Sequence, residues 1–227
     1  MKKFLSLTLA AVMAFGLAAC GSSSSSSASG STSAAAEGTT FKIGGIGPVT
    51  GGAAIYGTAV KNAAQLAVDE INADGGINGA QVEFNFQDDE NDAEKSVNAY
   101  NTLKDWGMQI LMGTVTSTPC IAVAAKTAED NMFQLTPSGS AVKCVENDNA
   151  FRVCFSDPDQ GTASAKYIGE NKLATKIAVI YDSSDVYSSG IYEKFVAEAK
   201  NQGIDIVAAE AFTADNKTDF SVQLQKA

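Results

Sequence analysis

A chain of 227 residues with 45% hydrophobic side chains is long enough for one or two domains around a sizeable core, which excludes global disorder. Its formal net charge is −10, and without residues 1–20, which hold two lysines and no acids, 14 basic side chains face 26 acidic ones. That balance excludes nucleic acid and anionic lipid as electrostatic partners, both of which call for clustered Lys and Arg, and the absence of any histidine removes Ser–His–Asp and Cys–His nucleophiles and His-containing metal sites.

The chain opens on MKKFLSLTLAAVMAFGLAAC, with Lys2 and Lys3, an apolar run from Phe4 to Leu17, then small residues. This is the three-part pattern of an export signal, and the apolar run is short for a membrane span. LAAC, Leu17–Cys20, resembles the lipobox of bacterial lipoproteins, which implies cleavage before Cys20 and a diacylglycerol on its thiol. The expected location is the bacterial cell envelope, anchored by lipid alone on the outer face of the cytoplasmic membrane. Residues 21–40 hold nine serines and almost nothing to bury, so they read as a flexible tether of about 25 Å root-mean-square span.

From residue 41 strands and helices alternate. FKIGGIG (41–47) reads as a strand breaking into glycines. Val60, Ala63, Ala64, Ala67, Val68 and Ile71 recur at helical spacing and predict one buried stripe, ended by Gly75–Gly76. QVEFNFQ (81–87) alternates as a half-exposed strand. Asp92 is placed to cap a helix carrying Val97, Tyr100 and Leu103 and stopped by Gly107. MQILMG (108–113) reads as a strand covered on both faces, CIAVAAKTAED as helix, MFQLT and AFRVCF (150–155) as strands.

After a polar break at SDPDQG (156–161), ASAKYIGENKL predicts a helix and KIAVIYD (176–182) a buried strand. SGIYEKFVAEAKNQG places Ile191, Phe195 and Ala199 on one helical face, IDIVAAEAF (204–212) is a strand, and the last fifteen residues start another helix. This order predicts an α/β fold of parallel sheets covered by helices, in two lobes spanning residues 41–157 and 158–227. Two parallel strands cannot bury both faces of a sheet, so the second lobe is expected to be incomplete in this chain.

In open α/β sheets ligands sit beyond the carboxyl ends of the strands. After the third strand comes GTVTSTPC, in which Pro119 suits the first helical position and makes Thr118 the expected cap. Free N–H groups and hydroxyls, Ser117 among them, would then face outward as a site for a carboxylate. After the fourth strand comes TPSGSA with Ser138 and Ser140, and if the two strands are neighbours both loops converge on one small ligand. The competing reading is that Ser117 and Ser140 merely cap helices. GGIGPVTGG (44–52) lacks the spacing of nucleotide-binding glycine loops, and DDENDAE (88–94) lacks the pattern of a calcium loop and reads as a solvated loop with a helix cap. Tyr56 and Tyr187 each follow the first strand of a lobe and can face a cleft. Of Cys120, Cys144 and Cys154, a Cys144–Cys154 disulfide closes the shorter loop and is the preferred pairing; their spacing does not suit a metal.

IGGIGPVTGGAAIYGTAVKNAAQLAVDEINADGGING (43–79), GTVTSTPC, QLTPSGSA, FRVCFSDPDQGTASAKYI and IAVIYDSSDVYSSG resemble, in the same order, bacterial periplasmic binding proteins for leucine, isoleucine and valine. The resemblance runs from about residue 41 to 227. It implies two Rossmann-like lobes of the type 1 periplasmic binding fold that close on an amino acid and deliver it to the permease of an ABC importer. It further implies that Ser117 holds the ligand α-carboxylate, that Ser138 contacts ligand through its backbone, and that the Ser140 hydroxyl helps hold the head group. Tyr56 and Tyr187 would line the cleft from opposite lobes. Two features depart from the family pattern: cysteines are missing where a family member joins the acidic loop to the third-strand loop, and the acid that pairs with the ligand ammonium falls beyond residue 227.

The expected protein is therefore a monomeric binding protein without cofactor or metal, not an enzyme. A ligand sensor of the same fold, signalling to a membrane partner, is the alternative. A serine enzyme lacks both histidine and a Ser–x–x–Lys motif.

Overall fold

The computed structural model describes residues 40–227; the export signal, Cys20 and most of the serine-rich tether lie outside the described residues. Five parallel strands form the first sheet: β1 (Thr40–Gly47), β2 (Gln81–Asp88), β3 (Ile110–Gly113), β4 (Gln134–Thr136) and β5 (Ala150–Arg152), in the order β2-β1-β3-β4-β5. The order reverses between β1 and β3, which in a doubly wound sheet marks where a ligand crevice opens. Helices α1 (Ala54–Ala73), α2 (Ala93–Trp106) and α3 (Ser117–Asp130) connect successive strands. A second sheet pairs β6 (Lys176–Asp182) with β7 (Asp205–Phe212), also parallel, together with α4 (Asp157–Glu170), α5 (Val186–Asn201) and the short α6 (Ser221–Lys226).

The core of the first lobe lies between the sheet and α2 and α3, where Ile46, Tyr100, Leu103, Leu111 and Val123 are packed together out of solvent. Asp92 caps α2 as its position predicts, accepting from the Lys95 N–H, and Gly107 ends it in the left-handed conformation. The β1 glycines do not break the strand. They run through it, paired with β2 along its whole length, because large neighbours fill both faces. A Cβ at Gly44 would collide with Met108 and Leu103, and one at Gly45 with Phe84 and Phe86.

Several boundaries differ from the sequence reading. β3 starts at Ile110 rather than Met108, and Ile110 remains exposed, so only part of the apolar run is covered. β4 and β5 are three residues each, and beyond β5 Val153 and Phe155 are exposed. The α1 stripe is only partly buried: Val68 is covered, Val60 and Ala64 are half-covered, and Ala63, Ala67 and Ile71 face solvent. Its docking face is instead marked by Gly57, whose missing Cβ lets the helix rest on the Pro48 backbone. Residues 156–161 are not a break. Ser156 caps α4 by accepting from Asp159, Pro158 lies in the first turn, and Gly161 packs against the α5 backbone at Ile191. The expected division at 157/158 therefore falls within the first turn of a helix. β6 is half-covered rather than buried, while Ala165, Ala199 and Ile204 form the small core of the second lobe.

Candidate functional site

The site is built from the loops and helix starts beyond the strands β1 to β6. β3 and β4 are neighbours, with Leu111 opposite Gln134 and Met112 opposite Leu135, so the loops after them meet. Side-chain bonds lock that meeting. Thr136 Oγ1 donates to the Thr114 carbonyl at 2.6 Å, Ser138 Oγ to the Val115 carbonyl at 2.6 Å, and Gln134 Nε2 to the Gly113 carbonyl at 3.0 Å. All three partners are on the loop or strand end after β3, so the two loops behave as one wall.

α3 begins two residues earlier than its proline suggests. Its cap is Thr116, extended at φ −107° and ψ 155°, and Pro119 sits third in the helix. The earlier start has a simple cause: proline is compatible with any position in the first turn, where N–H groups have no helical partner. Thr118 is therefore not the cap, and it lines the cavity from the second helical position. Thr116 makes no capping bond with its side chain, and its buried Oγ1 has no partner among the described residues. Ser117 does not cap either. Its Oγ accepts the backbone N–H groups of Ser140 and Ala141, both at 3.2 Å. Ser140 precedes the 3-10 turn Val142–Val145, whose cap is Ala141, so the reading of both serines as helix caps fails.

Tyr56, Ser117, Ser138, Ser140 and Tyr187, the five residues singled out from the sequence, all line one cavity of about 430 Å³. Tyr56 enters from the first turn of α1 and Tyr187 from the first turn of α5, so the cavity lies between the two sheets. Its volume is in the range of small-molecule sites. The sequence reading missed Asn91, Val115, Cys154, Phe155 and Asp185, which also line it. Asp185 was legible, because it follows β6 and the strand-end rule applied to that strand finds it, whereas Cys154 and Phe155 fall inside the strand expected over 150–155 and lie beyond its end only because β5 stops at Arg152.

Among the described residues no Lys or Arg lines the cavity, and Asp185 lends it a carboxylate. The only arginine in the sequence, Arg152, sits behind the wall and donates to the Ser140 carbonyl at 2.8 Å. A ligand carboxylate must therefore be met by hydroxyls and by N–H groups at the α3 N-terminus, whose dipole contributes about 0.3–1 kcal/mol. Asp157, first residue of α4, is buried behind Ser140; burial pushes its carboxyl above the usual range, Ser140 and Arg152 oppose that rise, and Asp185 adds to it.

The acidic run is more than a solvated loop. Asp88 accepts from Val49 N at 2.9 Å and Thr50 Oγ1 at 2.6 Å, bracing the β1–α1 loop that leads to Tyr56. Burial alone would raise the Asp88 carboxyl, but the bonds from Thr50, Val49 and Glu90 hold it below the ordinary value. Asp89 is fully buried. The preferred Cys144–Cys154 bridge is absent: all three cysteines are free thiols. The 3-10 turn tucks Cys144 against Cys120 on α3, whereas Cys154 leaves β5 toward the cavity. The hydrogen bond to Cys120, together with burial, raises the Cys144 thiol well above its usual range.

Comparison with known proteins places this geometry. A family profile described as periplasmic binding protein matches residues 40–227. The Leu/Ile/Val-binding protein BraC3 of Rhizobium johnstonii is 36% identical over 181 residues, 79% of this chain and 49% of that protein. The leucine-, isoleucine-, valine-, threonine- and alanine-binding protein of Pseudomonas aeruginosa is 31% identical over 82% of this chain and 50% of its own length. Among solved structures, the branched-chain amino acid transporter substrate binding protein LivJ of Streptococcus pneumoniae, in complex with isoleucine, superposes with a TM-score of 0.77 at 33% identity, covering 83% of this chain and 53% of that one. The chain spans about half the length of the curated relatives it matches.

Proposed function

Because the chain belongs to the periplasmic binding protein family, we propose that it is an extracytoplasmic solute-binding protein that captures a small amino acid, by default branched-chain, between its two lobes and passes it to an ABC importer. The supporting observation is the cavity wall. Ser117 presents a hydroxyl beside the α3 N-terminus, and no basic side chain among the described residues lines the space. Neutral donors suit the carboxylate of a ligand without net charge, whereas a dicarboxylate or phosphate would leave an anion facing Asp185. No bond is made or broken in this role; lobe closure does the work.

In this reading the Ser117 hydroxyl donates to the carboxylate, the Ser138 backbone and Ser140 hydroxyl complete the head-group site, and Tyr56 and Tyr187 cover the ligand from opposite lobes. Calorimetry with the twenty amino acids tests it. Leucine, isoleucine or valine binds most tightly, and Ser117→Ala lowers that affinity by about tenfold to a hundredfold, the value of a hydrogen bond to a charged group. A panel in which dicarboxylates or sugars bind instead would sink the proposal.

Cys20 carries a diacylglycerol and the serine-rich segment holds the binding lobes off the membrane. Labelled fatty acid incorporated by the wild type and not by Cys20→Ala is the check.

A further inference from the structure

Cys120 and Cys144 are fully buried and pack with Ala141 in a small cluster behind the cavity wall, flanked by Ile121 and Val145. Both are thiols in this structure. They come from separate stretches of chain: Cys120 closes the first turn of α3, and Cys144 is in the 3-10 turn Val142–Val145. The Cys144 Sγ reaches the Ser117 carbonyl at 3.7 Å. A helical carbonyl points at the residues three and four positions further on, so this places the Cys144 sulfur over the side of α3 that carries Cys120. Gly139 makes the approach possible. A Cβ there would lie 2.7 Å from Thr136 Oγ1 and 3.1 Å from Cys120 Sγ, so only a bare backbone lets the loop after β4 close down on that sulfur. Cys154 stands outside the cluster, partly exposed and lining the cavity.

We infer, resting on the extracytoplasmic reading above, that Cys120 and Cys144 are a disulfide pair whose bond staples the wall of the cavity, while Cys154 stays a thiol. The staple lies directly behind the contact that joins the two loops. Ser117 Oγ accepts the N–H groups of Ser140 and Ala141, and the cysteines follow Ser117 and Ala141 at the same spacing. The bond forms by exchange with a small-molecule or protein disulfide of the cell envelope. The Cys144 thiol beside it holds the Cys120 thiol below its ordinary value, with help from Thr136 and Thr114 and against burial. Cys120 therefore attacks as the thiolate, and one thiolate of the oxidant leaves. Cys144 gives up its proton and displaces the other. Two protons and two electrons pass from the cysteines to the oxidant, which ends as two thiols. Both sulfurs are out of solvent once the wall has packed, so exchange takes place while the short 3-10 turn is open.

Peptide mapping reads the pairing directly, because Lys104, Lys126, Lys143, Arg152 and Lys166 put the three cysteines on separate tryptic peptides, 105–126, 144–152 and 153–166. The full chain is isolated from the cell envelope without reductant, blocked with N-ethylmaleimide in denaturant and digested. The expected map joins 105–126 to 144–152 and leaves 153–166 blocked as a thiol. A link between 144–152 and 153–166, or three blocked peptides even after equilibration with oxidised glutathione, would overturn the pairing. A link that forms with glutathione and is missing from envelope protein would overturn the extracytoplasmic reading and leave the pairing standing.

Reduction with dithiothreitol then tests the staple without changing a residue. It lowers the melting temperature by about 10 °C, the shift for a bond closing a loop of about 25 residues, and weakens leucine about threefold to tenfold as the wall loses its preorganisation. The same fall in melting temperature on reduction occurs in Cys154→Ser and is absent from Cys144→Ala. A reduced wild type as stable as the oxidised one, with the same leucine affinity, would overturn the stapling role.

Discussion

Asp89 is a carboxylate that the fold buries with too few partners. Its Oδ1 accepts the Asn91 N–H at 2.9 Å, its Oδ2 has no partner among the described residues, and Asp88 and Asp92 crowd it with like charge. Burial, outweighing the bond from Asn91 and helped by Asp88, raises its carboxyl to about 6. Between the unfolded value of 3.8 and about 6 the folded state therefore holds more protons than the unfolded state. This group's contribution is most favourable below the unfolded value and falls as pH rises toward 6, by about 2–3 kcal/mol in all. Asp89→Asn keeps the Oδ1 acceptor and removes the charge. Urea unfolding from pH 4 to 7 should lose that part of its slope in the variant, and coincident curves would refute the assignment. Neither the burial of Asp89 nor the fate of its two oxygens was legible in DDENDAE, since neighbouring acids look alike until the β2 end is placed against β1.

At the level of elements, α4 and α5 cross closely because Gly161 has no side chain. A Cβ there would press on the Ile191 carbonyl and the Phe195 nitrogen, both backbone atoms that cannot step aside. Gly161→Ala is expected to destabilise the protein by about 1–3 kcal/mol, the usual cost of overpacking, and to widen the gap between Asp157 and Asp185 at the two helix starts. Thermal unfolding reads the first effect, and a fall in leucine affinity with Ser117 untouched reads the second. Full stability in the variant would mean the helices slide apart at no cost. Helix and strand identities in this part of the chain were legible from periodicity. The start of α4 was not, because Ser156, Asp157, Pro158 and Asp159 have the composition of a linker, and only the Ser156–Asp159 cap shows them to be a helix start.

Across the molecule, Tyr56 and Tyr187 remain 64% and 39% exposed at opposite sides of the cavity. Rings of this size left in water at a cleft are surface that closure on a ligand can bury. Small-angle scattering should report a monomer whose radius of gyration falls when leucine is added, and Tyr187→Ala should weaken leucine by about 1 kcal/mol while reducing that contraction. An unchanged radius at saturating ligand would remove hinge closure from the mechanism.

Residue order alone was enough for the alternating α/β pattern, the α2 cap and stop, the family, and five of the side chains that line the cavity. The family rests on the resemblance of whole motifs, and the others depend on short-range signals: hydrophobic period, capping residues, and the rule that ligands lie beyond strand ends. Contact across the fold decided the rest. It set Cys144 against Cys120 instead of Cys154, turned Ser117 from a cap into an acceptor for the loop after β4, and put Asp157 behind Ser140. The physical reason is that a hydroxyl or thiol has no fixed role of its own. Its protons and lone pairs are assigned by neighbours from separate stretches of the chain, which meet here only after β3, β4 and α4 have packed.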